Sequence, residues 1–173
     1  AQHITEELLG QHEIENMQAC IHPHILQLYD HCKNSNKDHC LIVEFAAGGT
    51  LEDYLMDLGD NMSEQEASRI FTQILESVKC IHAAEIMYGD RKPTNLMLDS
   101  TNDIKVIDFG SSCKKEAGQT LREKVRGSRV YCAPEQMDLK AFNESSTFGL
   151  LVLSCMKCSL AACLKMHMKL YAA

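Results

Sequence analysis

The chain has 173 residues, of which 45% are apolar and 24% charged, the composition of a globular domain with a hydrophobic core. Its formal net charge of -7 argues against a nucleic-acid binder or a protein that binds anionic membranes, since both need a basic surface. The sequence has no run of about eighteen apolar residues to span a membrane, and its N-terminus lacks a signal-peptide pattern.

The first part of the chain predicts a helix followed by a hairpin. Apolar residues at helical spacing predict a helix over residues 5–20, and His22-Pro23 ends it. Strands are predicted at residues 25–29 and 41–45. The polar cluster at residues 34–38 lies between them and predicts the hairpin turn.

Two helices are predicted next. Ala47-Gly48-Gly49 ends the second strand, and a short amphipathic helix is expected over residues 51–58. Ser63-Glu64-Gln65-Glu66 has the pattern of a capping box, with Ser at the N-cap and Glu at N3. A long helix with one continuous apolar face follows, formed by Ala67, Ile70, Phe71, Ile74, Leu75, Val78 and Ile81.

The second half of the chain predicts another hairpin. Strands at residues 95–99 and 104–108 flank the turn 100–103, so Asn95 and Asp108 are expected close together at one end. Residues 111–129 are polar and predict a surface loop. An apolar stretch over residues 150–163 predicts a further helix.

The nine cysteines are an odd number, and several of them lie in apolar segments. Without a signal-peptide pattern, they predict reduced thiols in an intracellular protein, cytoplasmic or nuclear. A zinc module is the alternative, because His31-Cys32 and His39-Cys40 form two His-Cys pairs. Their spacing does not match the Cys-Cys and His-His spacings usual for zinc, which favours free thiols.

Two segments carry most of the chemistry. The first, residues 88–95, reads Tyr-Gly-Asp-Arg-Lys-Pro-Thr-Asn and contains a carboxylate, an ammonium group and a carboxamide. The second, Asp108-Phe109-Gly110, places another carboxylate beside a glycine. A carboxylate that can accept a proton, together with oxygen ligands for a divalent cation, suits phosphoryl transfer.

The pair of segments resembles the catalytic loop and the D-F-G metal loop of eukaryotic protein kinases. Further motifs of that family occur in its order. Residues 13–25 resemble helix C and its exit, residues 41–49 resemble the fifth strand and hinge, and residues 127–135 resemble the end of the activation segment. The resemblance covers about residues 5–158.

The resemblance implies catalytic roles for four residues. Asp90 would be the catalytic base, and Lys92 would contact the γ-phosphate of ATP, as in the serine/threonine kinases. Asn95 and Asp108 would hold Mg²⁺. The implied activity is transfer of the γ-phosphate of ATP to a serine or threonine hydroxyl of a protein substrate.

The resemblance also assigns a nucleotide site. Glu13 would pair with the third-strand lysine that holds the α- and β-phosphates. The backbone of Glu44 and Ala46 would bind adenine, Val43 would be the gatekeeper, and Met97 would pack under the adenine ring.

Two further sets of residues match the family. An internal stack that aligns active kinases is matched by Met17, Leu28, Tyr88 and Phe109. Candidate phosphorylation sites in the activation segment are Ser128 and Thr120.

The implied fold is a truncated, two-lobe, kinase-like α+β fold. It comprises helix C and strands 4–5 of the N-lobe and most of a mainly helical C-lobe. The expected partial kinase domain covers residues 1–160, with an N-lobe remnant at 1–43, a hinge at 44–49 and a C-lobe at 50–160. Residues 161–173 are expected to form a divergent tail.

Departures from the family pattern support an alternative. No glycine-rich phosphate loop or third-strand lysine occurs before Glu13, and phosphate positioning contributes much of kinase catalysis. Gly89 stands where the family has the arginine that receives the activation-loop phosphate, so loop phosphorylation is not expected to be the main switch. The alternative is a pseudokinase or scaffold fragment without catalysis.

Overall fold

The structure is a computed structural model that describes residues 6–36, 38–59, 62–88 and 92–114. The helices are α1 (Glu6–Ala19), α2 (Leu51–Leu58) and α3 (Glu64–Ala83), and a 3-10 turn spans Pro93–Asn95. The strands are β1 (Leu28–Lys33), β2 (His39–Val43), β3 (Ile86–Met87), β4 (Leu96–Leu98), β5 (Ile104–Val106) and β6 (Cys113–Lys114). The predicted helix at residues 150–163 lies outside the described residues.

The first hairpin is present, but the prediction placed its strands wrongly. The structure has β1 starting at Leu28 rather than at residue 25, and β2 ending at Val43 rather than at residue 45. Only Leu28 is buried along β1, so the strand lacks the alternation of apolar and polar residues that would reveal it. A register shift between Leu28 and Asp30 further obscures the pattern. Ile25 instead forms an isolated parallel bridge with Val106.

Helices α2 and α3 agree closely with the prediction, and each begins at a hydroxyl cap. The side chain of Thr50 accepts a hydrogen bond from the backbone of Asp53, and Ser63 Oγ accepts one from Glu66 N at 3.1 Å. In a full capping box, the carboxylate of Glu66 would also accept a hydrogen bond from the backbone N–H of Ser63. Here that carboxylate binds Arg69 instead. All seven residues of the predicted apolar face of α3 are buried.

The second hairpin determines the geometry of the predicted site. Strands β4 and β5 are antiparallel, with Leu96 opposite Val106 and Leu98 opposite Ile104. They are shorter than predicted because Asn95 lies in the 3-10 turn and Asp108 lies beyond β5. The residues just outside the hairpin therefore meet at its open end.

The prediction of a polar surface loop from residue 111 is wrong for its first part. Ser112 is buried, and strand β6 pairs with β3, with Met87 opposite Cys113. The pairing follows a buried run at residues 86–88 whose backbone groups need hydrogen-bond partners. The rest of the predicted loop, residues 115–129, lies outside the described residues.

The described elements form an α+β architecture, as predicted, around one hydrophobic core. The core lies where α1, α3 and the second hairpin meet. Its completely buried large side chains come from all three of these elements and from the segments next to them: Phe109, Ile14, Ile25, Ile81, Ile86, Leu98, Ile104 and Val106. The core therefore also supports the chain that follows β5.

Arg69 joins α3 to the turn of the second hairpin. Its guanidinium group donates to Glu66 at 2.7 Å, to Asp103 at 2.6 Å and to the carbonyl of Asn102 at 2.8 Å. Hydrogen bonding from Arg69 holds the pKa of Glu66 below its usual value. Gln73, one turn along α3, also donates to Asp103. These charge-assisted bonds orient the hairpin relative to α3.

Replacing Arg69 by Met should lower the free energy of unfolding by about 1–3 kcal/mol, because Asp103 and Glu66 lose a charged hydrogen-bond donor. Urea unfolding monitored by circular dichroism measures the change. Lys79→Met removes the same charge from an exposed position of α3 and is the matched control. Equal losses for the two variants would contradict a specific role for Arg69.

Candidate active site

Asn95 and Asp108 meet at the open end of the second hairpin. Asn95 Nδ2 donates a long hydrogen bond to Asp108 Oδ2 at 3.4 Å. The backbone extends the hairpin by one further bond, from Ile107 N to the carbonyl of Asn95 at 3.0 Å. The predicted proximity of Asn95 and Asp108 is therefore confirmed.

Asp108 lies in a sharp turn, residues 107–110, which we call the Asp108 turn. Its φ of 63° is in the left-handed region, which costs free energy for residues other than glycine but which Asp tolerates better than most. Gly110 N donates to Asp108 Oδ1 at 3.1 Å. The turn leaves Asp108 exposed and buries Phe109 completely. Phe109 thus anchors the turn in the core, and Asp108 faces solvent.

Tyr88, the residue directly after β3, supports the Asp108 turn. Its ring meets that of Phe109 edge to face, with 5.4 Å between the centroids, and its hydroxyl donates to the carbonyl of Ile107. Met17 and Leu28 are buried in the same hydrophobic cluster as Tyr88 and Phe109. All four residues of the predicted internal stack are therefore in one core.

A buried polar chain joins helix α1 to the Asp108 turn. Asn16 Nδ2 donates to Ser112 Oγ at 2.8 Å, and Ser112 Oγ donates to the carbonyl of Phe109 at 2.5 Å. Sequence analysis missed both polar residues. The available signal was Asn16 itself, a polar residue close to the buried Ile14 and Met17 on α1.

Glu13 also lies against the Asp108 turn. Its carboxylate accepts a hydrogen bond from Phe109 N–H, and Glu13 Oε2 lies 3.7 Å from the position that a Cβ would take at Gly110. Burial and, to a smaller extent, the charge of Asp108 raise the pKa of Glu13, while the Phe109 N–H opposes that rise. Two carboxylates are thus held near each other, an arrangement that a cation would stabilise.

The predicted hinge is anchored by an ion pair that sequence analysis missed. Glu44 Oε1 lies 2.6 Å from Lys105 Nζ on β5, and both side chains are largely buried. The other carboxylate oxygen, Glu44 Oε2, accepts a bond from Gln27 N, and Glu44 N donates to the carbonyl of Gln27. The Glu44 backbone is therefore fixed relative to β5.

The chain after the hinge lies directly on β4. Gly48 N donates to the carbonyl of Leu98 at 2.7 Å, and a Cβ at Gly48 would come within 2.6 Å of the carbonyl oxygen of Asp99, so only glycine fits. Thr50 forms an isolated antiparallel bridge with Met97. The structure thus brings the segment after Val43 and Ala46 next to the strand that carries Met97.

Of the remaining predicted site residues, one is described by the structure and three are not. Lys92 is described, half-buried, and its carbonyl accepts a bond from Asn95 N at 2.8 Å. Asp90, Ser128 and Thr120 lie outside the described residues, as do Gly89 and Arg91.

Two structural tests concern the alternatives from sequence. Among the described residues, no group of three or more His, Cys, Asp or Glu side chains could hold a metal ion, and this includes the His-Cys pairs of the zinc hypothesis. The Asn95–Asp108 pair is not a group of this kind, because it has two members and one of them is an amide. Within the described ranges, no helix combines the length and the apolar character needed to cross a membrane.

The chain belongs to the protein kinase family. The family model for the protein kinase domain matches residues 2–162, which is most of the chain. This match implies the two-lobe α+β fold of that family, and its usual ligands are ATP and a divalent metal ion.

Curated relatives are similar over about three quarters of the chain. The carbon catabolite-derepressing protein kinase of Saccharomyces cerevisiae is 41% identical over 130 residues, 75% of this chain and 20% of the yeast protein. The SNF1-related protein kinase catalytic subunit alpha KIN12 of Arabidopsis thaliana is 35% identical over 136 residues, 79% of this chain and 27% of the plant protein. The CBL-interacting serine/threonine-protein kinase 8 of Arabidopsis thaliana is 35% identical over 131 residues, 76% of this chain and 29% of that protein. The chain thus spans less than a third of each relative's length.

The raised pKa of Glu13 predicts a pH-dependent stability. The folded state holds the proton of Glu13 more tightly than the unfolded state, so this group stabilises the fold below its usual pKa of 4.5. That contribution is lost as pH rises through the folded-state pKa. Glu13→Gln should therefore show a smaller loss of stability above pH 4.5 than the unchanged protein.

Chemical unfolding midpoints, measured below and above pH 4.5, test the prediction. Glu15→Gln removes the same charge from an exposed position of α1 and is the control. The prediction fails if Glu13→Gln and Glu15→Gln have parallel pH profiles.

Ser112→Ala should lower the free energy of unfolding by about 1–3 kcal/mol, since the buried amide of Asn16 loses its acceptor. Ser111→Ala, at the neighbouring half-buried position, is the control and should have a smaller effect. Replacing both partners, as Asn16→Leu with Ser112→Ala, should cost less than the sum of the single changes. A strictly additive double-mutant cycle would show that the bond does not couple α1 to the Asp108 turn.

Proposed function

We propose that this protein is a serine/threonine protein kinase that transfers the γ-phosphate of ATP to a hydroxyl group of a protein substrate. The observation that carries the proposal is the meeting of Asn95 and Asp108 at 3.4 Å, in a chain of the protein kinase family. The names of the similar proteins are those of protein kinases, one of them a serine/threonine kinase by name. They favour this function over the pseudokinase alternative.

In the proposed site, Asn95 and Asp108 hold the divalent cation, and we assign it as Mg²⁺. The donor set fits, since an amide oxygen and a carboxylate are hard ligands. Mg²⁺ usually takes only one or two protein carboxylates and completes its shell with phosphate oxygens and water, so a cage of three acidic residues is not needed. When bound there, the cation would supply positive charge next to the β- and γ-phosphates of ATP.

Adenine is proposed to bind at the segment after β2. Because Glu44 N already donates to Gln27, the group of Glu44 assigned to adenine is its carbonyl, and Ala46 supplies its N–H. The Glu44–Lys105 pair keeps this carbonyl in place. Val43 is the proposed gatekeeper and Met97 the floor of the adenine site.

The catalytic base is proposed to be Asp90, with Lys92 at the γ-phosphate. The bond from Asn95 N to the Lys92 carbonyl supports this assignment, because it fixes the catalytic segment to the metal-binding residues. Glu13 is proposed to pair with the third-strand lysine that binds the α- and β-phosphates in the family, a residue that does not occur in this sequence before Glu13. Its position beside the Asp108 turn would bring that lysine close to the metal site.

The proposed domain arrangement is that of a partial kinase domain over residues 1–160. Helix α1 corresponds to helix C, and β1 and β2 correspond to strands 4 and 5 of the N-lobe, which spans residues 1–43. The hinge is residues 44–49 and the C-lobe residues 50–160, followed by a tail to residue 173. The family match over residues 2–162 supports the outer extent of this domain. Ser128 and Thr120 are the proposed phosphorylation sites, in an intracellular protein.

Asp90→Asn and Asp108→Asn, made in the natural gene product that carries this chain, should each lower kcat by at least about 100-fold. The first change removes the proton acceptor, and the second removes the negative charge of a metal ligand. Transfer of labelled phosphate from ATP to a generic serine/threonine peptide measures the loss.

Asp57→Asn is the control, since Asp57 is exposed on α2 and outside the proposed site. It should leave turnover unchanged. Equal turnover by the unchanged protein and Asp90→Asn would overturn the proposed catalysis. ATP binding without turnover in the unchanged protein would instead support the pseudokinase alternative.

A further inference from the structure

Cys32 and Cys40 lie directly opposite each other in the first hairpin. The register of β1 and β2 pairs these two residues, and both thiols are free. The bond from Asn34 N to the Asp38 carbonyl marks a hydrogen-bonded pair two positions away. Because such pairs alternate along an antiparallel ladder, Cys32 and Cys40 also form a hydrogen-bonded pair, with Cα atoms about 5.5 Å apart. Disulfides span Cα separations of about 4.4–6.8 Å.

Solvent can reach this pair. Cys32 is exposed and lies on β1, where all residues after Leu28 are exposed, and Cys40 on β2 is half-buried. Cys20 and Cys80 form a contrasting pair next to each other. Burial, and then the neighbouring charge of Cys80, raise the pKa of Cys20 to about 12, so little thiolate is available there.

We propose that Cys32 and Cys40 form a reversible disulfide when the protein meets a peroxide. One thiolate attacks an oxygen of hydrogen peroxide, which breaks the O–O bond, forms a sulfenic acid and releases hydroxide. The second thiolate then attacks the sulfenic sulfur and displaces hydroxide. The two thiols lose two electrons to the peroxide, and the protons released convert the hydroxides to water.

The position of the pair favours easy reduction. Cβ atoms of directly opposed residues are about 4.5–5.5 Å apart, slightly more than the roughly 3.5–4.5 Å of a relaxed disulfide. The strands must therefore shift a little, and a strained, exposed disulfide is readily reduced. When formed, the bond locks the register of β1 and β2 four residues before Glu44. The proposal does not depend on kinase activity.

Peptide mapping tests the proposal directly. The protein is treated with hydrogen peroxide, its remaining thiols are alkylated, and it is digested with trypsin and Asp-N. Cleavage before Asp30 separates Cys32 from Cys20, and cleavage after Lys33 and Lys37 separates Cys32 from Cys40. We expect a peptide of residues 30–33 linked to one of residues 38–52, which dithiothreitol separates.

Variants control for other cysteines. Cys32→Ser and Cys40→Ser should each abolish the linked peptide, whereas Cys20→Ser should leave it unchanged. The oxidised protein should also unfold at a higher temperature than the reduced one, a difference that Cys32→Ser removes. The proposal is overturned if the folded, peroxide-treated protein keeps both thiols alkylatable. Linkage of either residue to another cysteine, or to a second copy of the chain, would overturn it as well.

Discussion

The structure depends above all on how Phe109 is held beneath Asp108. The left-handed conformation at Asp108 costs about 1–3 kcal/mol, and complete burial of the Phe109 ring contributes a comparable stabilisation. Bonds from Tyr88, Ser112 and Gly110 add to it. These contacts converge on Ile107, Asp108 and Phe109, and they hold Asp108 next to Asn95.

The remaining elements act as supports for this turn. Helix α1 contributes Glu13 and Asn16, and the residue after β3 contributes the Tyr88 side chain. Helix α3 supports the site indirectly. Arg69 and Gln73 bind Asp103 in the turn of the second hairpin, and the proposed site lies at the opposite, open end of that hairpin. The elements that form the hydrophobic core therefore also position the residues of the proposed site.

The sequence predicted elements whose pattern is local. Helix α3 and the second hairpin have clear periodicity and turn residues, and from them the meeting of Asn95 and Asp108 followed. Strand β1 was misplaced because neighbouring β2, rather than its own apolar residues, stabilises it. Asn16 and Ser112, 96 positions apart, are joined only by tertiary packing, and so are Glu44 and Lys105. No local pattern encodes such pairs.

The segment between α1 and β1 has a mechanical consequence. Leu26 N donates to the carbonyl of Val106, and Val106 N donates to the carbonyl of His24, so this segment forms a parallel bridge with β5. Val106 is two residues before Asp108. Helix α1 is therefore anchored at its C-terminal end to the backbone that leads to the proposed metal site. Any swing of the helix must pivot about this anchor, which makes the N-terminal end of α1 the part that travels farthest.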